Sequence, residues 1–287
     1  MKAHLVIFAA ALALGHAQGA CLSDEQARAV AESFFSRQPA EDLPPMNEAD
    51  ARCTRAKINA LLAARHGPAI GYKVGLTNPA IRRMLKGDGP AWGALYQGML
   101  LPHGSQVSAA FGARPTVEAD LLVRVRSADI QYAKTPLEVL QALDQVIPFI
   151  ELPDMLVATP LKLDAHGIAA LNMAARLGVA GTPIAVPPDR AAQEALVAAL
   201  GTMKLTMTDG SGKVLGRGVG SDLMDHPLHA AVWLVQALGR EGIKLQPGQY
   251  ISLGSFPPVM PPRPGLKFTV AYEGLPGADP VSVQFTD

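Results

Sequence analysis

Residues 116–126 read Thr116-Val117-Glu118-Ala119-Asp120-Leu121-Leu122-Val123-Arg124-Val125-Arg126. Val117, Ala119, Leu121, Val123 and Val125 share one face, and Glu118, Asp120, Leu122, Arg124 and Arg126 share the other. This period of two predicts a β-strand with one face in a core. The other face carries two carboxylates roughly 7 Å apart. Like charges at that spacing repel unless a cation or hydrogen-bond donors lie between them. Hard oxygen donors of this kind suit Mg²⁺, Mn²⁺ or Ca²⁺. The alternative is a polar face turned to solvent on an edge strand.

Carboxylates are scarce in this chain, which gives each one weight. The 287 residues are 17% charged, against about a quarter in an average soluble domain. Lys plus Arg and Asp plus Glu balance at 25 each, so the chain lacks the basic excess that marks nucleic-acid binding. It is 49% hydrophobic, which excludes disorder. A third carboxylate, Glu151, closes the apolar run Val146-Ile147-Pro148-Phe149-Ile150-Glu151-Leu152. Burying it is costly unless it is paired or liganded, so it either completes a three-carboxylate site or opens a loop before Pro153. Lys73, in Gly71-Tyr72-Lys73-Val74-Gly75, is either a point charge for a carboxylate substrate or a surface lysine.

Outward from this core the chain punctuates itself. Residues 1–19 carry a basic start, an apolar run from Leu5 to Leu14 and small residues at Ala17-Gln18-Gly19. These features predict a secretory signal peptide cleaved after Gly19, too short to span a bilayer. The mature chain is expected to be periplasmic or secreted, with no membrane span and no nucleic-acid partner. Cys21 and Cys53 are the only cysteines, so export predicts one disulfide, the alternative being two free thiols.

Capping boxes at Ser23–Gln26 and Thr135–Glu138 start helices, the second reaching about Gln145. Further helices are expected over 48–65, 79–85, 190–200 and from Pro227 to about Leu238. Strands are expected over 71–77, 117–125 and 146–152, within 181–188, as a hairpin over 204–215, and in a tail (250–285) broken by a Pro-rich loop at 257–264. Gly216, Gly218 and Gly220 miss a phosphate-binding fingerprint by one position. His226 and His229 suit helix capping better than metal ligation, since no third ligand is near. The organisation is a helical N-terminal region (20–70) followed by a mixed β-rich core (71–287).

Three segments carry a resemblance: Gly71 to Thr77, Thr116 to Asp120, and Gly216-Arg217-Gly218 through Asp225-His226-Pro227-Leu228-His229 to Leu234. In order and spacing they resemble the 2-keto-4-pentenoate hydratase and 4-oxalocrotonate decarboxylase family of the fumarylacetoacetate hydrolase superfamily. The resemblance implies an α+β fold, a mixed β-roll of the fumarylacetoacetate hydrolase type, often assembled as a homo-oligomer. It implies that Glu118, Asp120 and Glu151 are ligands to Mg²⁺ or Mn²⁺, and that Lys73 binds and polarises a small 2-oxo acid. Asn172 and Ser255 are implied as further substrate-binding residues. The implied activity is that of a hydratase on a 2-hydroxydienoate such as 2-hydroxypenta-2,4-dienoate. The alternatives are a decarboxylase, tautomerase or C–C hydrolase on the same scaffold, or a non-catalytic exported binding protein.

The chain also departs from the family pattern. Asp120 stands where Glu is usual. Ala91, in Pro90-Ala91-Trp92-Gly93, and Leu171, in Ala170-Leu171-Asn172-Met173-Ala174, stand where the family has Asp. Ala91 cannot move a proton, and Asp88 is the neighbouring candidate to do so.

Overall fold

The computed structural model describes residues 21–287. The expected signal peptide at 1–19 lies outside them. Helices α1 (Asp24–Ser36) and α2 (Glu48–His66) come first, each opened by a reciprocal cap, Ser23 with Gln26 and Asn47 with Asp50. There follow β1 (Ala69–Gly75), α3 (Pro79–Met84), β2 (Ala91–Tyr96), β3 (Leu100–Pro102), β4 (Gln106–Ser108) and β5 (Val117–Val125). The middle of the chain forms α4 (Pro136–Gln141), β6 (Leu143–Leu152), α5 (Ala165–Ala170), β7 (Leu177–Ala180) and β8 (Ile184–Ala185). The remainder is α6 (Arg190–Thr202), β9 (Lys204–Thr208), β10 (Val214–Val219), α7 (Pro227–Arg240), β11 (Tyr250–Ser252), β12 (Phe256–Met260), β13 (Lys267–Glu273) and β14 (Val281–Thr286).

The strands form two mixed sheets, so the fold is α+β as the sequence implies. The larger runs β2-β1-β11-β5-β6-β7-β3, with β12 also pairing with β5 and β8 with β6. The smaller runs β10-β9-β13-β14-β4. Strand β5 is central rather than an edge, and Val117 through Val123 are all buried. Its apolar face joins the main core with Val270, Val283 and Phe285 of the smaller sheet, while Leu122 packs with Ile147 and Phe149 in a second cluster.

Three local expectations change. Helix α4 stops at Gln141 and not Gln145, because β6 begins at Leu143. The Ala142 carbonyl there accepts from Arg126 N (2.8 Å), and the side chain of Asp144 pairs with Arg124 across the sheet. The Pro-rich segment is not all loop: Pro257 and Pro258 lie in β12, which pairs with β5 alone. Proline is tolerated on such an edge, where no ladder donor is needed. Gly216 and Gly218 lie within β10, where an added Cβ at Gly216 would overlap Pro258. His226 caps α7, its Nδ1 accepting from Leu228 N at 3.1 Å.

Cys21 and Cys53 form a disulfide across 32 positions of sequence. It ties the segment before α1 to α2, which Leu22 N also reaches through Thr54 Oγ1 at 3.1 Å. A crosslink closing a loop of that length contributes roughly 3–4 kcal/mol in the chain-entropy description. The double variant C21S/C53S is therefore expected to melt at a clearly lower temperature, and reductant is expected to lower the melting temperature of the unaltered protein but not of the variant. None of the helices among the described residues is long and apolar enough to cross a membrane.

Candidate active site

Strands β5 and β6 pair antiparallel with Glu118 opposite Glu151 and Asp120 opposite Phe149. Opposite residues share a face, as do residues two apart on one strand. The pairing therefore brings Glu118, Asp120 and Glu151 to the same face, and all three are buried. Lys73 reaches them from β1, which joins β5 through β11: Lys73 is in register with Ser252, and Ser252 with Leu122. Its Nζ forms an ion pair with Glu151 Oε1, both side chains almost fully buried.

Asp120 is the most tightly held of the three. Its Oδ1 accepts from Leu121 N (2.5 Å) and Gly254 N (3.0 Å), and its Oδ2 from the Ser252 hydroxyl (2.6 Å). Gly254 has φ +113° and sits hard against Thr77; glycine alone meets that conformation at little cost. From the smaller sheet, the buried Tyr272 hydroxyl donates to the Asp120 carbonyl (2.6 Å) and accepts from Phe149 N (3.0 Å). It pins β5 and β6 together at the rung beside the carboxylates.

The electrostatics are those of crowded acids around one ammonium. Burial, then the nearby Glu151, push Glu118 up to about 8, and Lys73 offsets them only in part. Burial and Glu151 also raise Asp120, against the pull of its Ser252 and Leu121 donors. Glu151 Oε2 is buried without a hydrogen-bond partner. An unpaired buried acceptor is costly, and it lies where cross-strand carboxylates converge. Among the described residues, no set of three or more His, Cys, Asp or Glu side chains is arranged to hold a metal ion in these rotamers. The donor chemistry nonetheless fits a hard divalent cation: oxygen ligands only, one of them orphaned, with raised carboxyls that a cation would return to the charged form.

A cavity of about 510 Å³ opens over Lys73 and Glu118, and Thr77 and Ser255 line it. Asn172 is placed elsewhere. Its Oδ1 accepts from Ala94 N (2.6 Å) and its Nδ2 donates to Ala94 O (2.9 Å), so both ends of the amide are spent on β2. Asp88 lines a separate cavity of about 350 Å³ together with Trp92, Arg55 and Glu241, so it is not placed to serve Lys73. Arg55 stacks 3.7 Å from the Trp92 ring centroid and pairs with Glu241, which makes that second site a packed network. Sequence reasoning offers Ser252, like Ser255, only as a polar substitute where the family has a late Leu-Thr-Gly motif and this chain reads Ser252-Leu253-Gly254-Ser255. The hold of Ser252 and Gly254 on Asp120 goes beyond that reading, and nothing in the sequence points Tyr272 toward the site.

The chain matches no family model. It is 29% identical over 247 residues to a 2-hydroxyhexa-2,4-dienoate hydratase of Comamonas testosteroni, covering 85% of this chain and 88% of that one. It is 28% identical to a 2-keto-4-pentenoate hydratase of Paraburkholderia xenovorans (88% and 91% covered) and 26% identical to a 4-oxalocrotonate decarboxylase of Pseudomonas putida (88% and 96%). Among solved structures, the 4-oxalocrotonate decarboxylase of Pseudomonas putida G7, complexed with magnesium and adipate, superposes with a TM-score of 0.77 at 24% identity, covering 93% of this chain and 99% of that one. Fumarylpyruvate hydrolase of Pseudomonas aeruginosa, in complex with Mn²⁺ and pyruvate, superposes at 0.54 with 13% identity, covering 75% and 88%.

Proposed function

We propose that this chain, a relative of the 2-keto-4-pentenoate hydratases and 4-oxalocrotonate decarboxylases with the fumarylacetoacetate hydrolase fold, is an exported, divalent-metal-dependent hydratase of a small 2-oxo or 2-hydroxydienoic acid. The observation that carries this reading is the buried cross-strand pair Glu118–Glu151 with Lys73 bonded to Glu151. Glu118, Asp120 and Glu151 are the proposed ligands, with Mg²⁺ the first choice because a related decarboxylase is complexed with magnesium. When bound, the cation supplies Lewis-acid polarisation of the substrate's carboxylate and 2-oxo oxygen.

The chain's own groups do the rest. Ser252, Gly254 and the Leu121 amide fix Asp120 in one orientation. Lys73 presents a buried positive charge to an acid head entering the cavity and steadies the enolate oxygen as charge develops there. Export is supported by the signal-like residues 1–19 and by the Cys21–Cys53 disulfide.

A second reading is favoured by one observation: Ala91 and Leu171 carry no ionisable group where the family has Asp, which suits binding of a 2-oxo acid without turnover. The test is the ultraviolet absorbance of 2-hydroxypenta-2,4-dienoate with purified protein and Mg²⁺ or Mn²⁺. Its loss at a steady rate is expected, and Glu118→Ala is expected to lose that rate. Metal binding without turnover selects the second reading, and absence of metal binding removes both.

A further inference from the structure

We infer that the substrate carries an apolar tail beyond its 2-oxo acid head, and that the cavity selects against a second carboxylate. This inference rests on the reading of Lys73 and the three carboxylates as the site for the head. Among the described residues, Lys73 and Glu118 are the only charged side chains that line the cavity, and both lie at the head end. Thr77 and Ser255 belong to the same end, since both adjoin Gly254, whose amide donates to Asp120. Apart from Asn78, whose Oδ1 caps α3 by accepting from Ala80 N at 2.9 Å, the remaining walls are apolar, built from side chains such as Ile81, Met155 and Ile168.

The apolar lining continues onto the surface. Met84, Leu161 and Val259 are 69%, 98% and 44% exposed, and all three line this cavity; they are three of the five large apolar side chains exposed among the described residues. Exposed apolar side chains scattered singly need no explanation, but a cluster at the mouth of a cavity marks a binding groove. Its volume of about 510 Å³ falls in the range of roughly 300–1,000 Å³ typical of drug-sized ligands, which are far larger than a five-carbon acid.

A distal carboxylate meets no cation there. Arg82 donates Nε to the Leu76 carbonyl at 2.9 Å, and neither it nor Arg83 nor Lys86 lines the cavity. A charge placed among these walls loses its water without gaining a counter-charge. An alkyl or aryl tail removes from water both itself and the exposed mouth.

The test is calorimetric titration of the purified protein, in excess Mg²⁺, with pyruvate, 2-oxopentanoate, 2-oxooctanoate and 2-oxooctanedioate. Affinity is expected to rise along the monoacids by up to about fourfold per methylene, and 2-oxooctanoate is expected to bind at least tenfold tighter than the diacid of equal length. L161R alters a side chain that is 98% exposed, so it leaves folding intact, and it is expected to narrow or reverse that preference. Pyruvate binding with a flat series, tighter binding of the diacid, or an L161R preference identical to that of the unaltered protein overturns the tail and leaves the head site standing. Failure of every acid in the series to bind removes the head site and the tail together.

Discussion

Lys73→Met is expected to lower turnover by about 10²–10³-fold while making the protein respond more strongly to Mg²⁺. The ammonium is buried and bonded to Glu151 Oε1, whose other oxygen is already without a partner. Methionine keeps most of the thread that fills the path from β1 but removes the charge. Glu151 is then buried with neither oxygen paired, and breaking a buried pair costs on the order of 3 kcal/mol. Without added metal the variant should therefore melt below the unaltered protein. A cation held by Glu118, Asp120 and Glu151 would no longer share Glu151 with an ammonium or be repelled by one. Binding to the folded state alone raises stability by mass action, so the Mg²⁺-induced rise in melting temperature should be larger in the variant. Melts with and without Mg²⁺, beside the absorbance assay, check both halves. Equal Mg²⁺ responses in the two proteins would show that Lys73 does not share the cation's ligands.

The strand that carries the site was legible because its period of two survives in one dimension: Val117 to Val125 alternates, and two acids fall on one face. That this strand is central, so that the acids are buried, was not legible, because edge or centre depends on β11, β12 and β6 arriving from distant parts of the chain. The same limit hides the partners of Asp120. Ser252 sits in a strand of three residues, too short for periodicity, and Tyr272 belongs to the other sheet. Its hydroxyl reads in sequence as one polar group in an alternating strand. Asn172 shows the opposite failure. A polar side chain in an apolar run needs a partner, but the sequence does not distinguish a ligand from a neighbouring backbone, and here the backbone of Ala94 takes both ends of the amide. Asp88 was close to Ala91 along the chain, yet it faces a different cavity from Lys73.

The contact between Asn172 and β2 leads to the second large effect, Gly93→Ala. Gly93 pairs in register with Lys73, and a Cβ added there would overlap the Asn172 carbonyl oxygen and crowd Met173 Cβ. The obstacle is backbone, and it cannot retreat easily. Asn172, Met173 and Ala174 all hold positive φ, near +55°, a conformation that costs L-residues roughly 1–2 kcal/mol each. They are kept there by the Asn172 amide on Ala94 and by the Ala174 carbonyl, which accepts from Asp154 N at 2.9 Å. One added methyl therefore pushes on a segment that has already used its conformational latitude. Overpacking against fixed backbone costs about 3 kcal/mol, which for a chain of this size corresponds to about 6–12 °C in melting temperature. The effect should extend to binding, because Met173 and Ala174 line the cavity over Lys73, so 2-oxo acids should bind more weakly even to the folded fraction. Gly89→Ala is the matching control: an added Cβ there meets nothing within 4 Å and the backbone is not left-handed, so its stability should stay within about 0.5 kcal/mol of the original. If both variants melt together with the unaltered protein, residues 172–174 do not pack on β2 as described, and the wall they give the cavity falls with them.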